Sequence, residues 1–105
     1  EKPSDAALRE IKEETGVTAE KLTALQSVAF VPAEVVAKNL RAHWDKNIFV
    51  IPEYSFAFEC SADPTLSREH SEYKWLPYND ARKLLKWDSN KVAMYEIMCR
   101  LRNYE

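Results

Sequence analysis

A helical pattern opens the chain and stops at its only glycine. In the segment PSDAALREIKEETG, Pro3 and Ser4 are typical of a first helical turn, and Asp5 suits the positive end of the helix dipole. Gly16 follows as a C-terminal stop. The pattern predicts a helix over Ser4–Thr15, and the scarcity of glycine means that other tight turns are made differently or are missing.

The two faces of this predicted helix differ in chemistry. At 100° per residue, Leu8, Ile11 and Thr15 fall within a sector of about 60°. The glutamates fall on the opposite side. We therefore expect the apolar sector to face the core and the carboxylates to face away from it; these carboxylates belong to Glu10, Glu13 and Glu14.

The composition is that of one soluble globular domain. Hydrophobic residues make up 46% and charged residues 30% of the 105 positions, and the formal net charge is −2. This charge gives no general attraction to nucleic acid or to anionic membranes. No apolar run approaches the ~18 residues of a membrane span, and the first residues do not resemble a signal sequence. We expect a cytoplasmic protein that binds neither membranes nor nucleic acid polymers.

The two cysteines do not suggest a metal or redox site. Cys60 and Cys99 are far apart in the sequence, and neither belongs to a CxxC pair. Because cysteine is among the most buried residue types, we expect two buried free thiols.

Two strands are predicted in the middle of the chain. Residues Leu25–Val31 form the first, ended by Pro32, and residues 33–44 have only weak helical periodicity, which indicates an insertion. The segment NIFVIPEYSFAFEC is rich in β-branched and aromatic residues, and Pro52 within it should mark a bulge or a strand edge. Beyond Pro52, alternation places one set of side chains on one face, namely Tyr54, Phe56, Phe58 and Cys60.

The last third predicts a short strand followed by two helices. The segment SEYKWLP is the strand, with Tyr73 and Trp75 on one face. Asn79 or Asp80 caps a short helix through Lys86, and Asp88 or Ser89 caps the last helix. That helix carries an apolar stripe that we interpret as core rather than as a ligand set: Met94, Ile97, Met98 and Leu101.

The glutamate face concentrates like charges. Side chains three and four residues apart on a helix lie ~5–6 Å from each other, so Glu10, Glu13 and Glu14 repel one another. A hard divalent cation would relieve this repulsion, because Mg²⁺ binds carboxylates together with waters and phosphate oxygens. A solvated acidic surface is the competing interpretation.

The spacing of these residues resembles the Nudix box of the Nudix hydrolases. Glu1, followed by seven residues and then by REIKEETGV, matches the order Glu, seven of any kind, Arg-Glu, aliphatic, any, Glu-Glu, any, Gly, aliphatic. At average residue usage, this pattern arises by chance on the order of 10⁻⁷ per start position. The resemblance extends through REHSEYKWLPYNDA to the last helix. It implies an α/β (α+β) fold, a sandwich with a mixed sheet between helices.

The resemblance also implies a reaction and site residues. Members of this family hydrolyse the pyrophosphate of a diphosphate linked to another moiety, with Mg²⁺ or Mn²⁺. By position, Glu13 and Glu14 would be metal ligands, Glu10 a ligand or the base that activates water, and Arg9 would orient Glu10 and Glu1. The partner is then a small-molecule phosphoanhydride.

A carboxylate outside the box often completes the site in this family. Glu69 and Glu72 are the candidates, and EHSEYKWL favours Glu69, because its position resembles that of the extra glutamate in enzymes that hydrolyse dihydroneopterin triphosphate. Trp44, Tyr54, Phe56 and Trp87 could stack on a base or a pterin, although aromatic residues along a strand more often form the core. We rank dihydroneopterin triphosphate or a nucleoside triphosphate before a nucleotide sugar or a dinucleotide.

The resemblance begins inside the motif. A glycine expected six positions before Glu1 and the strands that precede it in the family are absent, whereas a whole Nudix domain has ~130–150 residues. We therefore expect residues 1–105 to be a single, N-terminally incomplete Nudix domain. Either the chain belongs to a longer polypeptide, or a partner supplies strands, which leaves a homodimer open. The alternative function is a catalytically inactive Nudix-like module that binds a nucleotide or a protein.

Overall fold

The computed structural model, which describes residues 2–61, 63–67 and 72–102, contains both helices and strands. This mixture confirms the predicted α/β class. In chain order the elements are α1 (Pro3–Thr15), β1 (Thr23–Pro32), a short 3₁₀ helix (Ala33–Val35), β2 (Val50–Ala57), α2 (Tyr78–Leu84) and α3 (Asp88–Arg102).

The described strands form one antiparallel pair. β1 and β2 pair from Thr23 opposite Ala57 to Pro32 opposite Val50, with one shift of register. Both strands were predicted from the β-branched and aromatic runs, and Pro52 lies where it was expected, on an edge, because each strand of a two-stranded sheet is an edge.

The pairing is interrupted in β1, between Ala24 and Val28. A bulge of this kind leaves backbone groups without a partner in the ladder. The carboxylate of Glu96 on α3 supplies the partner: it accepts hydrogen bonds from the backbone N–H of Gln26 (2.7 Å) and from the backbone N–H of Ser27 (2.8 Å). The irregular part of β1 is thereby attached to the C-terminal helix.

Two further donors converge on the same carboxylate. The Ser27 hydroxyl donates at 2.8 Å and the Arg100 Nε donates at 2.8 Å. Partial desolvation of Glu96 acts to raise its pKa, but the hydrogen bonds from Gln26, Ser27 and Arg100 outweigh it and lower the pKa to about 2. Glu96 therefore remains ionised over the ordinary pH range.

The described core is thin. Only Leu25, Ala33 and Ala93 are buried among the described hydrophobic residues. The predicted stripe of α3 is half-buried at Met94, Ile97 and Met98, while Leu101 is exposed.

One face of the sheet is apolar and open to solvent. Cross-strand partners lie on the same face of an antiparallel pair. Three such pairs are exposed on both members, and none of them contains a charged residue: Val28 with Tyr54, Phe30 with Pro52, and Pro32 with Val50. We call these six residues the open sheet face.

Three local predictions were wrong. Residues 72–77 form no strand, because β1 and β2 pair only with each other in the described residues and leave this segment without a ladder; Tyr73 and Trp75 are exposed. The short helix begins at Tyr78 after Pro77, so neither Asn79 nor Asp80 caps it, and it ends at Leu84 instead of Lys86. Cys60 and Cys99 are thiols, as predicted, but half-buried rather than buried, since the thin core does not enclose them.

None of the helices in the described part of the chain combines the length and the apolar character that a bilayer crossing needs.

Candidate functional site

The glutamate-bearing helix α1 has defined ends. Pro3 occupies its first turn, and the Ala6 N–H donates to the Lys2 carbonyl at 3.0 Å. At the other end Gly16 adopts a left-handed conformation with φ +72°, and its N–H donates to the Lys12 carbonyl at 2.9 Å. The predicted stop at the single glycine is confirmed.

The predicted orientation of α1 is also confirmed. Ile11 and Thr15 are half-buried, and α1 makes its contacts with β2. Leu8 lies at the margin, with 37% of its surface exposed. The three glutamates are exposed, so the helix presents a continuous carboxylate surface to solvent: Glu10, Glu13 and Glu14.

Arg9 pairs with Glu13 on this surface. Its Nη1 donates to the Glu13 Oε2 at 3.1 Å, and both side chains are about half exposed, at 48% and 60%. This spacing of four residues is one at which opposite charges attract on a helix. The resemblance assigned Arg9 to Glu10 and Glu1. Glu1 lies outside the described residues, and the pairing with Glu13 is an addition to the prediction.

The carboxylate surface fits a hard divalent cation in the chemistry of its donors. Three carboxylates spaced i, i+3 and i+4 offer the oxygen ligands that Mg²⁺ prefers. Their side chains do not converge, however: among the described residues no three His, Cys, Asp or Glu side chains lie close enough to hold a metal ion. Mutual repulsion and the attraction of Glu13 to Arg9 account for the separation.

A segment without regular secondary structure, after β2, contacts the end of α1. The Thr65 N–H donates to the Thr15 carbonyl at 2.7 Å, and the Ser67 N–H donates to the Glu14 carbonyl at 3.1 Å. We call Thr65–Ser67 the strap. The strap was not predicted from the sequence, in which only Pro64, a residue that favours extended backbone, points to it.

The remaining candidates are dispersed. Glu69, predicted to complete the site as base or ligand, lies outside the described residues. Trp87 is exposed, and the Lys86 ammonium lies 5.0 Å from the centre of its ring, whereas Trp44 and Phe56 are half-buried. Tyr54 belongs to the open sheet face. Among the predicted site residues that the structure describes, those on α1 share one helix surface without converging on a point, and the others lie elsewhere.

Known proteins are similar to this chain in sequence and in fold. The sequence model of the NUDIX domain family matches residues 1–96. The bis(5'-nucleosyl)-tetraphosphatase (asymmetrical) of Sus scrofa is 31% identical over 91 residues, which are 86% of this chain and 56% of that protein. The chain therefore spans little more than half the length of this relative.

A solved crystal structure supports the same relationship. A Listeria monocytogenes protein that bears the name NUDIX hydrolase superposes with a TM-score of 0.76 at 41% identity, covering 99% of this chain and 69% of its own. The segment that the family model matches contains the whole of α1 with its glutamates. On the family match, the identity and the superposition together, this chain belongs to the NUDIX domain family.

Proposed function

We propose that the protein is a pyrophosphohydrolase of the Nudix type, dependent on a divalent metal, and that it cleaves a diphosphate linked to another moiety. The observation that carries the proposal is the exposed carboxylate surface of α1, in the spacing of the family motif. Substrates of this class are small phosphoanhydrides. The name of the Sus scrofa relative adds a dinucleoside tetraphosphate to the pterin and nucleoside triphosphates ranked first from the sequence.

The residues of α1 have different proposed roles according to their positions. Glu13 and Glu14 are the proposed metal ligands, and Glu10 is a third ligand or holds the attacking water and takes its proton. Arg9 donates to Glu13 and so limits the rotamers of that carboxylate. When bound, Mg²⁺ or Mn²⁺ would supply charge neutralisation at the phosphates and a lowered pKa for water.

The carboxylates have opposite effects on substrate binding with and without a bound cation. Alone, they repel an anionic phosphate chain as well as each other, so this surface binds the substrate poorly without a cation. Hydrolysis should therefore depend on a divalent metal. Glu69 remains the proposed base from the sequence, and Glu69→Gln is the variant that tests it.

The decisive experiment measures phosphate and pyrophosphate release by the full-length protein, with and without Mg²⁺. The panel contains dihydroneopterin triphosphate, nucleoside triphosphates, a nucleotide sugar and a dinucleoside tetraphosphate. We expect hydrolysis of at least one of these compounds only when metal is present. Glu13→Gln should lower turnover at least 100-fold, because a neutral amide is a weak ligand for a hard cation.

The matched control is Glu20→Gln, which removes an equally exposed carboxylate outside α1. We expect this control to retain full turnover. Absence of hydrolysis with every substrate and metal would favour the alternative, a Nudix-like module that binds a nucleotide or a protein without cleaving it. Full turnover by Glu13→Gln would contradict the assignment of the metal ligands.

A further inference from the structure

Two of the proposed metal ligands occupy an unfavourable part of their helix. Glu13 and Glu14 lie in the last turn of α1, which ends at Thr15. The C-terminal end of a helix carries partial negative charge on unpaired carbonyl groups, so carboxylates there are destabilising. Last turns also fray readily. Without outside contacts, we would expect this turn to open.

The carbonyl groups of this turn nevertheless have donors. The Ile11 carbonyl accepts from the Thr15 hydroxyl at 2.6 Å, and the Lys12 carbonyl accepts from the Gly16 N–H at 2.9 Å. These two donors lie within the helix and its cap. The carbonyls of Glu14 and Thr15 accept instead from the strap, roughly fifty residues later in the sequence.

The strap also packs closely over the cap. A Cβ placed on Gly16 would lie 3.5 Å from the Thr65 Cβ, which is ordinary van der Waals contact. Leu66, between the two donors, is half-buried. The strap is therefore a partly buried segment, with two backbone donors aimed at the end of α1.

We propose that the strap is the positioning element of the site: its N–H groups keep the Glu13–Glu14 turn helical and so hold both carboxylates ready for a divalent cation. This inference rests on the proposed function. The strap acts through the α1 backbone, and its hydrogen bonds offset the negative partial charge that the two carboxylates would otherwise face.

The test removes one donor and leaves the rest of the full-length protein intact. Thr65→Pro deletes the N–H that the Thr15 carbonyl accepts, whereas Thr65→Val keeps that N–H and loses only the hydroxyl. Ser67→Pro deletes the other donor and serves as a second variant if Thr65→Pro does not fold. The primary readout is the affinity for Mn²⁺ alone, measured by electron paramagnetic resonance without substrate.

We expect Thr65→Pro to bind Mn²⁺ roughly five- to tenfold more weakly than wild type, as the net loss of one hydrogen bond predicts. Thr65→Val should bind it as wild type does. Turnover of Thr65→Pro should recover at saturating Mn²⁺, because excess cation compensates for weaker binding. Amide hydrogen exchange at Thr15 and Gly16 should become faster in the proline variant.

Equal Mn²⁺ affinity of Thr65→Pro and Thr65→Val, in a wild-type protein that binds Mn²⁺, would overturn the positioning role and leave the proposed function intact. Failure of the wild type to bind Mn²⁺ would overturn the proposed function, and the positioning role with it. The two failures are therefore distinguishable on the wild-type measurement.

Discussion

Two glutamates show how differently a carboxylate can act at the scale of one residue. Glu13 pairs with one arginine on the surface, an interaction worth about 0.3–0.5 kcal/mol on an exposed helix. Glu96 accepts from two backbone N–H groups, a hydroxyl and a guanidinium. Substituting Glu13 therefore tests chemistry with little change in stability, and substituting Glu96 tests the fold.

Replacing Glu96 by glutamine should destabilise the protein. An amide provides only one acceptor oxygen, so some of the donors from Gln26, Ser27 and Arg100 would be left without a partner. We expect a lower urea midpoint than for Glu34→Gln, which removes an exposed carboxylate from the 3₁₀ helix. Equal midpoints for the two variants would show that the bulge of β1 does not need this carboxylate.

The same residue predicts a pH dependence. The folded-state pKa of Glu96, about 2, lies below the model-compound value of 4.5, so its contribution to stability is fully present above about pH 4.5. That contribution is lost as the pH falls through the folded-state pKa. The urea midpoints of wild type and Glu96→Gln, measured from pH 7 to pH 2, should converge at the acid end. A constant difference would contradict the lowered pKa.

At the scale of the element, α1 illustrates what a sequence can specify. Its start at Pro3, its end at Gly16 and the exposed glutamates all follow from residue spacing along one helix. The strap does not, because its contacts join residues far apart in the sequence through backbone N–H groups, which every residue except proline carries. The Arg9–Glu13 ion pair, in contrast, could have been predicted, because the sequence shows opposite charges four residues apart on one helix.

Gly16 should resist substitution for its backbone conformation rather than for lack of space. Its φ of +72° costs an alanine about 1 kcal/mol net, whereas asparagine tolerates this region better. The space for a Cβ is adequate. We expect Gly16→Ala to lower the free energy of unfolding more than Gly16→Asn, as measured by urea denaturation. Equal losses would indicate that contact with Thr65 dominates instead.

At the scale of the whole molecule, the extent of the open sheet face and of the thin core depends on which elements pack together. Alternation along β2 assigns its side chains to two faces, but strand patterns alone do not say which other element covers either face. The third predicted strand failed for a related reason. A β pattern such as that of residues 72–77 becomes a strand only beside another strand with free backbone groups.

The open sheet face predicts the behaviour of the 105-residue chain. Phe30 is 72% exposed, so Phe30→Ser should change the free energy of unfolding by no more than about 0.5 kcal/mol and reduce the binding of a hydrophobic dye. Leu25→Ala is the contrasting variant: Leu25 is 8% exposed, and we expect a loss of about 2–5 kcal/mol. A comparable loss for Phe30→Ser in the full-length protein would show that other residues cover this face there.

The attachment of α3 to β1 has a consequence for synthesis on the ribosome. Gln26 and Ser27 precede Glu96 by 70 and 69 residues. At ~5–20 residues per second, translation needs on the order of 4 to 14 s to add that length. During this interval the residues of the β1 bulge have been synthesised, but Glu96, whose carboxylate binds them, has not. The nascent chain therefore completes this part of its sheet only when the last helix emerges, and a ribosome stalled before Glu96 would carry β1 in an unfinished state.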